Sequence, residues 1–147
     1  MEENAVAPSA VRAASDVRAT FSRLRRRLRE VDVGRGLTPS QTAALSRLSR
    51  EGPFSTSGLA AAERVRPQSM ATTLAALEQQ GLLERRPDPD DGRRQIVTLT
   101  IAGRQRAEGD RQARAEWLAT ALQERYTEDE RQTVIAAMAL LERLGQS

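Results

Sequence analysis

The sequence predicts a mostly α-helical chain that carries one small β-hairpin. Apolar residues recur at helical spacing in the first and last parts of the chain. In the middle, capping signals and prolines at first-turn positions mark shorter helices. Between residues 83 and 100 a charged, proline-containing turn gives way to alternating apolar and polar residues, which is typical of a hairpin. With 147 residues, the chain has the length of one domain with a buried core.

The first helix is expected from about Val11 to Val31. Apolar residues follow one another there in steps of four, three, four and three, which places them on one helical face. The first ten residues have the composition of a frayed terminus. The segment DVGRG at 32–36 ends the helix. The apolar face consists of Val17, Phe21, Leu24, Leu28 and Val31.

A second helix is expected to begin after Thr38. Thr38 is suited to the N-cap, Pro39 to the first helical position, and Gln41 completes a capping box. The glycine and proline at 52–53 end this helix. Its core face is supplied by Ala44, Leu45 and Leu48.

Two further helices follow in close succession. The segment STSGLAAAERV predicts a short helix capped by Ser55 or Thr56, and the next helix begins at Pro67 and ends at Gly81. Only a few residues around 64–66 separate the two helices, so they must cross at a steep angle, as in a helix-turn-helix unit. The inward face of the second helix is expected to be Met70, Leu74 and Leu77.

The rest of the chain predicts a hairpin and two more helices. LLERR and QIVTLT are the strands, with a turn between them that contains Pro87, Pro89 and Gly92. From residue 102 to about 123 the pattern is helical but thinly apolar. Thr127 and Glu130 form a second capping box that starts the last helix. That helix has an apolar face of Val134, Met138, Leu141 and Leu144.

Composition excludes several classes of function. The chain contains no cysteine and no histidine, which removes thiol redox chemistry, the commonest metal ligand and the usual general base. No serine lies in a nucleophile motif, so we expect neither an enzyme nor a cofactor or metal site. No apolar run approaches the roughly 20 residues that span a bilayer. A cytoplasmic protein without a membrane partner is therefore expected, and all 23 of its basic residues are arginines.

The outward face of the helix at 67–80 is suited to reading base edges. Its residues are short, uncharged and able to donate or accept hydrogen bonds or to contact a thymine methyl group. An ordinary solvated helix face, which is the alternative, would more often carry Glu, Lys or Arg. The outward positions are Gln68, Thr72, Ala75 and Gln79, flanked by Ser69 and Ala71.

The charged turn is suited to the narrow, electronegative minor groove, where arginine is favoured. Arg93 and Arg94 are expected to project from a turn that Gly92 makes tight, and Asp91 is expected to hold the guanidinium of Arg93. The alternative is a solvated hairpin whose ion pairs contribute little. A calcium loop is excluded, because the ligand spacing counted from Asp88 places Arg93 where that loop requires glycine.

The run LEQQGLLERRPDPDDGRRQIVTLTIAGR closely resembles the winged-helix signature of MarR-type bacterial transcription regulators. In that family the recognition helix ends in L-E-x-x-G-L and is followed by a basic strand, a D-P-x-D-(G)-R-R wing and a V-x-L-T-x-x-G junction. The resemblance covers about 30 residues, and the helix order is compatible over the remainder. The matching residues are Leu77, Glu78, Gly81, Leu82, Arg85, Asp88, Pro89, Asp91, Arg93, Arg94, Val97, Leu99, Thr100 and Gly103.

The resemblance implies a winged helix-turn-helix lobe at 38–100 and a helical dimerisation lobe at 11–31 and 102–147, within one domain of 1–147. It further implies an obligate homodimer, a pseudo-palindromic operator in double-stranded DNA, and often an anionic or lipophilic effector that releases the DNA. The terminal apolar faces agree with a dimer, since a winged helix of about 50 residues cannot cover them alone. A monomer that packs these helices on its own winged helix is the alternative.

These arguments select the candidate site residues. Gln68, Ser69, Thr72 and Thr73 are predicted to contact bases, and Arg64 and Arg66 phosphates; Asp91, Arg93 and Arg94 form the wing's part of the site. A protein-binding adaptor that uses the winged helix without DNA is the alternative function. For the basic cluster at 23–29 a solvated face is favoured, and contact with DNA is the alternative. The family's usual effector pocket points to Phe21, Arg25, Phe54 and Trp117.

Overall fold

A computed structural model describes residues 5–32 and 35–146. It confirms the predicted class, since 73% of the described residues are helical and a small antiparallel sheet is present. Part of the predicted frayed terminus (1–4) and of the predicted break after the first helix (33–34) lies outside the described residues. The elements are α1 (Pro8–Asp32), α2 (Pro39–Glu51), β1 (Phe54–Ser55), α3 (Thr56–Glu63), α4 (Pro67–Gln79), β2 (Leu83–Pro87), β3 (Gln95–Leu99), α5 (Ile101–Arg125) and α6 (Glu128–Gly145).

The chain forms two compact units, Met1–Asp110 and Arg111–Ser147. The first contains α1 to α4, the sheet and the start of α5, and the second contains the rest of α5 and all of α6. The proposed assignment of 38–100 to DNA binding and of 11–31 and 102–147 to dimerisation stays a prediction. No helix in the described ranges is both long and apolar enough to cross a membrane.

The sheet has one strand more than the sequence predicted. The predicted hairpin pairs β2 with β3 in antiparallel register, from Leu83 opposite Leu99 to Pro87 opposite Gln95. The two residues of β1 join the other edge of β3, with Phe54 opposite Val97, so the strand order is β1-β3-β2. A strand of two residues is too short to show an alternating pattern, which is why it was missed.

The core of the first unit lies between α2, α3, α4 and the sheet. The N-caps of α2 and α3, two of the helices around this core, form largely as expected. Thr38 and Gln41 make the reciprocal hydrogen bonds of a capping box, and Ser55 rather than Thr56 caps α3 by accepting from the amide of Gly58. The inward residues predicted for α2 and α4 are all buried. The largest fully buried side chains are Leu45, Leu59, Leu74, Leu77 and Val97.

The junction between the sheet and α5 depends on a threonine and a glycine. Thr100 donates from Oγ1 to the carbonyl oxygen of Gly81 at 2.6 Å and accepts at Oγ1 from the amide of Gly103 at 3.0 Å. A Cβ placed on Gly103 would lie 2.0 Å from the carbonyl oxygen of Leu82. Only glycine allows α5 to pass this close to the backbone before β2, which explains the residues of the L-T-x-x-G motif.

In the second unit, α6 begins at the capping box that the sequence predicted. Thr127 and Glu130 make both of its hydrogen bonds. Arg131 donates to the carbonyl oxygen of Tyr126 at 2.6 Å and so holds the turn after α5. Hydrogen bonds from Gln132 and Arg131, of which the first has the larger effect, lower the pKa of the exposed Glu128 from its ordinary value of 4.5.

The apolar faces of α1 and α6 remain largely uncovered within their own units. Phe21 on α1 is 50% exposed, and Met138 and Leu144 on α6 are 46% and 73% exposed. None of the predicted face residues of either helix is buried. Burial of large apolar side chains is a main source of stability. These two faces are therefore suited to contact with another surface.

Candidate nucleic-acid interface

The predicted base-reading side chains lie on the solvent face of α4. Gln68, Ser69 and Thr72 are exposed, while Thr73 is half-buried at the edge of this face. Met70, Leu74 and Leu77 fix the orientation of the helix, because all three are 3% exposed or less. The hydroxyl of Thr72 donates to the carbonyl oxygen of Gln68 at 3.2 Å, which leaves its lone pairs available to accept from a base.

The turn that precedes α4 places two arginines beside this face. Arg64 is the only described residue other than glycine with a positive φ, at 56°, and this conformation ends α3. Arg66 occupies the N-cap of α4 without a side-chain cap, and Pro67 follows in the first turn. Both arginines are exposed, so their guanidinium groups can reach a phosphate backbone.

The wing turn, residues 88–94, is held by its own backbone and by two aspartates. The amide of Asp88 donates to the carbonyl oxygen of Arg94 at 2.9 Å, and Asp88 in turn accepts at Oδ1 from the amide of Asp90 at 2.9 Å. The carboxylate of Asp91 accepts from the backbone amide of Arg93 at 3.1 Å. The predicted ion pair between Asp91 and the guanidinium of Arg93 is wrong, since the short side chain bonds the amide two residues ahead, as in an Asx-turn.

The tight turn predicted at Gly92 does not depend on the backbone freedom of glycine, and the predicted role of Gly92 in giving the wing room near DNA stays a prediction. Gly92 does not have a positive φ, and a Cβ added there would meet nothing within 4 Å. The turn conformation therefore does not require glycine at this position. Any need for Gly92 must come from what approaches the turn from outside.

The two arginines of the wing differ in their intramolecular contacts. The guanidinium of Arg94 donates to Oγ of Ser55 at 3.1 Å and so connects the wing to the cap of α3. The guanidinium of Arg93 makes no hydrogen bond or ion pair to any part of the chain that the structure describes. Of the predicted pair, Arg93 is thus free to reach outward, whereas Arg94 already has an intramolecular partner.

The family model for "MarR family" matches residues 37–95, the segment that contains this helix-turn-helix and most of the wing. An uncharacterized HTH-type transcriptional regulator from Mycobacterium bovis is 40% identical over 114 residues, which cover 78% of this chain and 80% of the relative. A similarly described regulator from Mycobacterium leprae is 39% identical over 75% of this chain and 77% of its own length. The chain belongs to the MarR family.

Solved structures agree with this membership. A transcriptional regulator from Pseudomonas aeruginosa superposes with a TM-score of 0.84 at 34% identity, covering 97% of this chain and 99% of that one. A mutant of MarR from Escherichia coli gives a TM-score of 0.76 at 23% identity, with 96% and 98% covered, and shows the shared fold. MarR-family proteins are DNA-binding transcriptional regulators rather than enzymes.

The arginines between residues 35 and 110 divide into those whose side chains have a partner in the protein and those whose side chains have none. Arg47 binds Glu63 and Glu51. These hydrogen bonds raise the pKa of Arg47, and the one to Glu63 has the larger effect. Arg85 binds Glu78 at 3.1 Å and joins β2 to the end of α4. Arg35 and Arg106 share the buried carboxylate of Asp110. Among the described residues between 35 and 110, four arginine side chains make neither an ion pair nor a hydrogen bond, namely Arg64, Arg66, Arg93 and Arg104.

The sequence did not show which arginines have a partner and which are free. The pairing depends on acids that are distant along the chain or on the next element, such as Asp110 for Arg35. The sequence predicts three of these four free arginines as DNA contacts and gives no role to Arg104. Glu78, which holds Arg85, was known only as part of a motif.

The predicted effector residues lie in different surroundings. Phe21 and Arg25 are exposed on α1, and Phe54 packs against the core of the first unit. Trp117 is half-buried in the second unit, on α5. An effector site formed by these four residues stays a prediction.

Proposed function

We propose that this MarR-family regulator binds a pseudo-palindromic operator as a homodimer, with α4 in the major groove and the wing turn at the adjacent minor groove. The observation that carries the proposal is the arrangement of free side chains. Uncharged donors and acceptors cover the exposed face of α4, two unpaired arginines lie in the turn before it, and a third, Arg93, lies on the wing turn. Base edges require such polar groups, and phosphates and the minor groove require such cations.

In this proposal Gln68, Ser69, Thr72 and Thr73 contact bases, Arg64 and Arg66 contact phosphates, and Arg93 enters the minor groove. Arg94 and Asp91 hold the wing rather than contact bases. The uncovered faces of α1 and α6 support the dimer, because a twofold axis buries the same apolar surface on both subunits.

We propose repression as the effect, because a dimer bound over a promoter excludes polymerase from the same DNA. Release by a small lipophilic or anionic effector, with Phe21, Arg25, Phe54 and Trp117 near it, completes the proposal. The family resemblance supports this last step.

Binding-site selection from random duplex DNA tests the proposal. An enriched inverted repeat with half-sites about one helical turn, or 10–10.5 base pairs, apart is the expected result. On that operator, Gln68→Ala should cost roughly 1–3 kcal/mol at one base position and relax specificity there. The exposed Gln105 on α5 provides the control substitution Gln105→Ala, which should change neither quantity. Failure to enrich any sequence would favour the protein-binding adaptor.

A further inference from the structure

Asp110 is a buried carboxylate that holds the segment before α2 against α5. Its side chain is 3% exposed, and its Oδ1 accepts from Nε of Arg35 at 2.7 Å and from Nε of Arg106 at 3.1 Å. Arg106 also donates to the backbone carbonyl oxygen of Arg35. A Cβ added to Gly109 would lie 3.2 Å from Nη2 of Arg35, so this guanidinium lies close against the backbone of α5. Arg35, Arg106 and Asp110 together are called the Asp110 cluster.

The side of α5 that faces the rest of the chain offers little apolar surface. The buried residues of α5 are Gly103, Ala107 and Asp110, which share one helical face. A glycine and an alanine bury few apolar atoms, so hydrophobic packing holds α5 only weakly here. A buried carboxylate must be paired, and its charge-assisted hydrogen bonds are short and directional. The Asp110 cluster therefore holds this part of α5 more firmly than apolar packing does.

The cluster is the second of two points at which α5 is attached. The first is the junction at Thr100 and Gly103, and Asp110 lies about 10 Å further along the helix axis. A helix attached at one point can tilt about it, whereas two points fix its direction. Arg125, the last residue of α5, lies about 33 Å from Gly103 along the axis. A tilt of about 6° would move it by about 3.4 Å, the rise of one base pair.

On its other side the cluster leads into the proposed DNA-binding lobe. Arg35 lies just before α2, and Leu37, between Arg35 and that helix, belongs to the core that also contains Leu74 and Leu77 of α4. The cluster thus connects the core beneath α4 to α5, whose remaining residues belong to the second unit. A dimer that contacts two half-sites at once requires a spacing that matches the separation of its recognition helices.

We propose that Asp110 is a positioning residue for operator binding. Through Arg35 and Arg106 it fixes the direction of α5 against the core beneath α4, and so sets the half-site spacing that the dimer accepts. Asp110 is buried and acts without contacting DNA itself. This role rests on the proposed function, because a spacing preference exists only for a dimer on an inverted repeat.

The test uses the full chain on the selected inverted repeat and on the same repeat with one base pair inserted or removed between the half-sites. The ratio of the affinity for the selected spacing to that for the altered spacings measures the spacing preference. Arg35→Gln and Asp110→Asn should each lower this ratio about tenfold, while the affinity for an isolated half-site stays unchanged. Arg35→Lys keeps a positive charge beside Asp110 and should retain most of the ratio.

Arg47→Gln is the matched control, since Arg47 also pairs with carboxylates and is 24% exposed, but its partners Glu51 and Glu63 lie on α2 and α3. It should lower the free energy of unfolding in urea and leave the ratio unchanged. Arg35 is partly exposed, so Arg35→Gln provides the answer if Asp110→Asn does not fold.

Two results would overturn the role of Asp110 and leave operator binding intact. One is an unchanged ratio for the folded variants of the Asp110 cluster, and the other is an equal fall in the ratio for Arg47→Gln. If the unmodified chain binds no inverted repeat, the proposed function fails and the positioning role fails with it.

Discussion

Arg93 and Arg94 are adjacent in the chain, yet their side chains have different surroundings. Arg94 donates to the cap of α3 at Ser55, and Arg93 has no partner in the described chain. A guanidinium that binds a phosphate or a groove releases counterions, and one that holds the protein together does not. The salt dependence of operator binding therefore distinguishes the two roles.

Arg93→Ala should weaken operator binding and lower its salt slope by about one counterion for each wing in contact. Arg94→Ala should weaken binding by loosening the wing, with the slope nearly unchanged. Titration of fluorescent operator at several salt concentrations measures both quantities. Ser55→Ala removes the same hydrogen bond from the other side without changing the charge, and it also removes the cap of α3, so it should weaken binding and leave the slope unchanged. An equal drop in slope for both arginine variants would place Arg94 on DNA as well.

Asp91 should act through the backbone of the wing turn rather than through the guanidinium of Arg93. Its carboxylate accepts from the amide of Arg93 at 3.1 Å. Asp91→Asn keeps an acceptor oxygen and removes a negative charge near DNA, so operator affinity should stay level or rise. Asp91→Ala also removes the acceptor and should bind more weakly than Asp91→Asn, by roughly 0.5–1.5 kcal/mol, the net contribution of one hydrogen bond. Gel-shift titration measures the operator affinities of the two variants. Tighter binding by Asp91→Ala than by Asp91→Asn would contradict the role of the hydrogen bond.

At the scale of elements, Thr100 and Gly103 fix the junction between β3 and α5. The side chain of Thr100 bridges the carbonyl oxygen of Gly81 and the amide of Gly103. The backbone amide of Thr100 also donates to Leu82 at 3.1 Å. The start of α5 is thereby attached to the segment between α4 and β2.

Gly103→Ala should be strongly destabilising, because its Cβ would lie 2.0 Å from the carbonyl oxygen of Leu82, a backbone atom that cannot rotate away. A loss of about 1–3 kcal/mol or more is expected from such overpacking. Urea denaturation measures it, with Gly92→Ala as the control, since an added Cβ there meets nothing within 4 Å. Similar unfolding free energies for Gly103→Ala and the unmodified chain would show that α5 can shift at little cost.

At the scale of the whole molecule, uncovered apolar surface is the main feature that one chain leaves unexplained. Large side chains on α1 and α6 remain between about a third and three-quarters exposed, including Leu24 at 37% and Leu144 at 73%. Isolated exposed apolar residues are common, but a continuous helical face of them indicates an interface.

Sedimentation equilibrium at micromolar concentration should therefore give twice the chain mass of 16.2 kDa. Met138→Glu, on the apolar face of α6, should shift the equilibrium toward the monomer, because a charge would be buried without a partner. Ala136→Glu is the matched control, since it is exposed and two residues away, on the far side of the helix. A 16.2 kDa species alone for the unmodified chain would refute the dimer.

The sequence by itself determined the helices, the hairpin and the family. Capping boxes at Thr38 and Thr127, prolines at first turns and the inward face of α4 are local patterns, and each formed as predicted. Thr100 and Gly103 could be identified from a motif, although their roles depend on contacts with Gly81 and Leu82. The predicted roles of the α4 and wing side chains in DNA binding stay predictions.

Only the tertiary structure decided which charged groups are already occupied. The partner of Arg94 is Ser55, and that of Arg35 is Asp110, 39 and 75 residues away along the chain. β1 likewise exists only because β3 offers it an edge. Pairings over such separations depend on how the elements pack and not on neighbours in sequence. Spacing could therefore place Arg93 and Arg94 on one turn, but it could not show that only Arg93 is free of intramolecular partners.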